Sequence, residues 1–171
     1  MNETLLDKGR HNLQVVDMCL GSEDDGLVTL LSYHLQQAAE LYLKHHLEIS
    51  GVPYRKTHDI KELLHQFDDS GVSRPYGYDI LQQYAAQLTS YEAKPRYVKN
   101  YLVERKEVLE ISYLLKCIYT KTADHYNVYT MLKTIDSRVT LSGVQEAIMT
   151  LNLTDKEILL HMSDILSEAL K

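Results

Sequence analysis

The chain has 171 residues, enough for one domain with a sizeable core, and it carries a formal net charge of -6 with 7 Gly and 3 Pro. The acidic balance excludes a molecule that attracts nucleic acid or anionic lipid over its whole surface, so an anion site must be local. With 2 Cys, no disulfide framework and no Cys-rich zinc site can be built from one chain, and the scarcity of Gly and Pro points to long helices and an all-α fold.

The opening MNETLLDKGR is polar, and no apolar run approaches the roughly 18 residues needed to cross a bilayer. The expectation is a cytoplasmic protein with neither a secretory signal nor a membrane span. Leu6, Leu13, Val16 and Leu20 recur at helical spacing until GSEDDG, 21–26, stops the first helix. From Leu27, one stripe runs through Leu31, His34, Ala38, Leu41 and His45, and a neighbouring one through Leu35, Ala39, Tyr42 and Ile49. Gly51 and Pro53 end that helix. THDIKELL opens the next, with Asp59 and Glu62 spaced as a capping box and Ile60, Leu63, Leu64 and Phe67 on its inner face.

DDSGVSRPYG, 68–77, reads as a loop, after which Ile80, Leu81, Tyr84, Leu88 and Tyr91 resume helical spacing. Pro95 suits a first helical turn, and Val98, Tyr101, Val108, Ile111, Leu115 and Ile118 predict one continuous helix from there to about Thr120. Beyond it, Tyr126 to Ile135 reads as helical. Possible capping boxes at Ser142 with Gln145 and Thr154 with Glu157 predict further short helices, so residues 122–171 form a C-terminal extension or cap on a bundle spanning 1–121. The expected core includes Leu31, Ala38, Leu41, Leu64, Leu88, Val108 and Leu115.

SYHLQQAAELYLKHHLEISGVPYRKTHDIKELL, 32–64, resembles the HEPN domain family, the higher eukaryotes and prokaryotes nucleotide-binding domain. The resemblance rests on Gln36, Gln37, Ala38, Ala39 and Glu40, on Lys44, and on THDIKELL; it continues into YEAKPRYVKNY, 91–101, and covers about residues 3–120. It implies an up-and-down helical bundle that commonly forms a homodimer, with the starts of the last core helices facing each other across a cleft. Many members of that family are metal-independent ribonucleases with an R-x4-6-H motif there, while others bind nucleotides, RNA or partner proteins. Arg96 matches the arginine. Tyr101, Leu102 and Val103 stand five, six and seven residues later, and none is histidine.

PRYVKNYLVERK, 95–106, concentrates positive charge, and Arg96 at a helix start is a candidate phosphate ligand because a planar guanidinium joins free backbone N–H groups there. Lys99 and Asn100 share its face on a continuous helix, and Tyr97 and Tyr101, one turn apart, are candidates for stacking on bases. The alternative for the charges is an ordinary solvated face; for Tyr101 it is packing in the bundle or at a dimer interface. A phenol is a poor base at neutral pH, so efficient ribonuclease chemistry is not expected from this segment, and no catalytic residue is assigned.

His34 and His45 lie three turns apart, too far to share an ion, and are expected to be hydrogen-bonded on a buried face, with His58 settling the start of its helix. No metal or cofactor is expected. Glu40 is either a partner for Arg96 or an exposed charge. Three readings follow in order: RNA or nucleotide binding through a basic groove at a dimer interface without efficient nuclease activity; a dimeric protein-interaction or scaffold module; and an atypical metal-independent endoribonuclease.

Overall fold

A computed structural model describes residues 3–121, and among them the fold is all-α: α1 (Leu5–Cys19), α2 (Asp25–Ile49), α3 (Ile60–Ser70), α4 (Tyr78–Ser90), α5 (Lys94–Tyr97) and α6 (Arg105–Thr120). The helices expected beyond Lys121 lie outside the described residues. Short polar side chains set the helix starts by taking up N–H groups that have no partner within the helix. Thr4 Oγ1 accepts from Asp7 N while Asp7 Oδ2 accepts from Thr4 N, both at 3.1 Å, a complete capping box. Asp24 caps α2 through Leu27 N at 3.0 Å, and Asp59 caps α3 through Lys61 N and Glu62 N. The expected box at Asp59 is only half formed. Thr57 Oγ1 already accepts from Asp59 N at 3.1 Å, and Glu62 turns instead to Arg55 at 3.4 Å.

Helix α2 is the axis of the bundle, since every other helix packs against it. It buries Leu31, Leu35, Ala38, Ala39, Leu43 and Leu47 almost completely. Because neighbours surround it on several sides, the buried surface is broad, as the two stripes predict, but its edges differ from the expected ones. Leu41 is half-buried rather than core, and Ile49 is 65% exposed. Leu31, Ala38, Leu64, Leu88, Val108 and Leu115 are buried as expected. Helix α3 runs three residues into the predicted loop, ending where Gly71 takes a left-handed φ of 64°.

The main departure from the periodic reading lies between Pro95 and Thr120, where one helix was expected and two are present. Helix α5 ends at Tyr97, and Asn100 adopts φ 60°, a left-handed conformation that asparagine tolerates better than most residues. The intervening segment is tied to distant parts of the chain. Val103 N donates to Thr29 Oγ1 of α2 at 3.0 Å, and the Arg105 guanidinium donates to the carbonyls of Leu20 and Ser22 just beyond α1. Val98 thereby stays 52% exposed although its spacing suggested an inner face, and Leu102 is 63% exposed.

Candidate functional site

Arg96 sits on α5, a helix of four residues with Pro95 in its first turn. So short a helix contributes little aligned dipole, and the expected anion site at a helix start loses that support. The guanidinium is held by the side chains around it. Its Nε donates to the Glu92 carbonyl at 2.8 Å, one Nη donates to the Glu92 carboxylate, and its Cζ lies 4.4 Å from the Tyr33 ring centroid and 4.9 Å from that of Tyr97. Tyr33 is half-buried on α2, whereas Tyr97 is 73% exposed. The result is an arginine lying against two aromatic rings, with 27% of its side chain exposed.

Lys99 and Asn100 lie beyond the end of α5 and do not share a helical face with Arg96. Both are exposed. Tyr101 is half-buried in the same non-helical segment, with Lys94 Nζ 5.7 Å from its ring centroid, so Tyr97 and Tyr101 are not one helical turn apart. The structure therefore brings Arg96 together with Tyr97 and leaves Lys99, Asn100 and Tyr101 on the adjoining turn. Sequence reasoning missed two contributors. Glu92 was legible as an acid four residues before Arg96 at a helix end, but Tyr33 comes from another helix and carried no local signal.

Glu40 is neither a partner of Arg96 nor an exposed charge. It is buried on α2, where Oε1 accepts from Lys44 Nζ at 2.7 Å and Oε2 accepts from Gln36 Nε2 at 2.7 Å and faces His58 Nδ1 at 3.0 Å. Burial pushes its carboxyl up, but the bonds from Lys44, Gln36 and His58 outweigh that and hold it below the ordinary value of 4.5. Gln36 Nε2 also reaches the His58 carbonyl at 3.3 Å. His58 thus settles the loop before α3 by contacting α2.

His34 is hydrogen-bonded as expected but only half-buried: its Nδ1 lies 2.9 Å from Asn12 Oδ1, which joins α2 to α1. His45 does not fulfil its expected role, because its buried Nδ1 has no partner among the described residues; His46 instead bonds the Tyr42 carbonyl at 2.9 Å. The described residues bring no three His, Cys, Asp or Glu side chains into an arrangement that could hold a metal ion, and no described helix is long and apolar enough to cross a membrane.

The sequence profile of the HEPN domain matches residues 3–125, most of the chain. The chain belongs to the HEPN family. Its all-α architecture and the QAAE, THDIKELL and PRY segments fit that membership, which supports a nucleotide- or RNA-related role in broad terms. No curated protein and no solved structure matches this HEPN chain.

Proposed function

We propose that this HEPN protein binds RNA or a nucleotide as a homodimer in the cytoplasm, with Arg96 as the phosphate contact, Tyr97 as a stacking surface, and Lys99, Asn100 and Tyr101 extending the site. The arginine braced by Tyr33 and Tyr97 carries the proposal: a planar cation beside an exposed ring suits a phosphate next to a base. Glu92 is a weak competitor for that cation. An i,i+4 ion pair at the surface contributes only about 0.3–0.5 kcal/mol, so a phosphate can replace the carboxylate at small cost.

Exposed Tyr97, Val98 and Leu102 form an apolar run beside the charges, and covering it with a second copy would bring two Arg96 segments into one groove. Residues 95–106 contain no group suited to proton transfer near neutral pH, so efficient cleavage is not assigned to this segment. The same apolar run, with Arg96 already paired to Glu92, is also what a protein-interaction module would present. Titrating single-stranded RNA and a nucleoside triphosphate against the native chain and Arg96→Ala separates the two. Loss of affinity in the variant supports the nucleic-acid site, while no affinity in either protein leaves the interaction module.

A further inference from the structure

The geometry points to a narrower ligand class for the Arg96 site: a terminal phosphate, the monoester at the end of an RNA strand or on a mononucleotide, rather than the bridging phosphodiester of a strand's interior. This inference rests on the binding reading above. It begins with how little of the guanidinium is open. Of the five N–H donors of an arginine, the one on Nε is taken by the Glu92 carbonyl and one on Nη by the Glu92 carboxylate. The rings of Tyr33 and Tyr97 lie 4.4 Å and 4.9 Å from its Cζ, and 27% of the side chain is exposed. Tyr33 belongs to the axial helix, so the body of the bundle stands behind the cation on that side. A phosphate that reaches the remaining donors must present free oxygens and point its substituents away. A monoester has three such oxygens and a single substituent. A phosphodiester has two of each, and its strand would have to leave the site in two directions.

Charge separates the two ligands further. Glu92 is a monoanion held four residues from Arg96, so a phosphodiester, also a monoanion, exchanges one single charge for another and gains no Coulomb attraction by it. A phosphate monoester carries about -1.5 to -2 charges near pH 7 and does gain. The neighbouring residues match it: Lys94, Arg96 and Lys99 stand against Glu92 alone within 92–99, and both lysines are exposed. Stacking favours the same ligand, since Tyr97 offers one ring, 73% exposed, beside the cation. The base of an end nucleotide has a face with no neighbour in the strand and can lie on that ring as it is. An internal base must first leave its neighbour.

The test uses the full chain and one labelled single-stranded RNA prepared with a 5′-phosphate, with a 3′-phosphate and with hydroxyls at both ends. A phosphorylated strand should bind roughly tenfold or more tightly than the unphosphorylated one, the effect of one further charge-assisted hydrogen bond, and the end that gains identifies the terminus the site takes. Adenosine 5′-monophosphate should displace that strand, whereas adenosine should not. Arg96→Ala should abolish the preference rather than lower all affinities alike, which separates recognition at this site from general attraction of a more charged RNA. Arg96→Lys keeps the charge but loses the planar set of donors and should retain only part of the preference. Thermal melts check that both variants are folded; should Arg96→Ala be unfolded, Arg96→Lys decides. Equal affinity for the three RNAs, a monophosphate that competes no better than adenosine, or a preference undiminished in a folded Arg96 variant overturns this inference alone. Absence of binding to every ligand overturns the binding reading and this inference with it.

Discussion

Tyr119 occupies the space that Gly9 leaves empty: a Cβ built on Gly9 would lie 1.7 Å from the tyrosine oxygen. That oxygen donates to the Ala38 carbonyl at 2.8 Å, so one ring from α6 is clamped between α1 and α2. Gly9→Ala gains about 0.5–1 kcal/mol of helix propensity but meets an overpacking cost of about 1–3 kcal/mol. Net destabilisation is expected, and chemical denaturation measures it. Adding Tyr119→Phe removes the clashing oxygen, so the double variant should lose less stability than the sum of the two single changes; strict additivity would show that the contact is not made.

Leu43 is fully buried on the axial helix whereas Leu41 is only half-buried. Leu43→Ala should therefore cost about 2–5 kcal/mol and Leu41→Ala distinctly less. Arg96→Ala, which breaks a surface ion pair and two ring contacts, should cost less than Leu43→Ala. A denaturation midpoint for Arg96→Ala below that of Leu43→Ala would make Arg96 a structural residue.

Stability should fall with pH in two stages. Burial pushes the His34 and His46 imidazoles below their ordinary value of 6.5, so the unfolded chain takes up protons first. Their contribution is complete above 6.5 and is lost as pH falls through the lower folded-state values. Glu40, held below 4.5, has the same sign in a more acidic window: its contribution is present above 4.5 and disappears as pH falls through its depressed folded-state value. Urea midpoints measured between about pH 8 and pH 3 follow both stages, and Glu40→Gln should flatten the second. A midpoint that rises on acidification contradicts both assignments.

If Arg96 and Lys99 contact phosphates, the affinity for single-stranded RNA should weaken as salt rises, with a log–log slope of about -0.7 for each contact. Arg96→Ala should lower both the affinity and the slope. Glu92→Gln removes the competing carboxylate and should raise affinity by up to about twofold, the equivalent of a surface i,i+4 pair. A salt-insensitive affinity, equal in all three proteins, would place any bound RNA elsewhere.

What the sequence determined by itself was whatever is decided over one or two helical turns. Thr4, Asp24 and Asp59 start helices through bonds to residues two or three positions on, and the spacing of Leu31, Ala38, Leu64, Leu88 and Val108 marks core faces because the helical repeat is local. Arg96 and Glu40 could be singled out for the same reason, but their surroundings could not. The break after Tyr97 escaped the pattern because periodicity continues across it, and the segment is held by Thr29, Leu20 and Ser22, which belong to other turns of the chain. Tertiary packing alone decided that Arg96 lies against Tyr33 and that His58 meets a buried Glu40. Each of those contacts depends on how α2 is rotated among the helices around it, and that rotation follows from burying the most apolar surface at once rather than from any single stretch of residues.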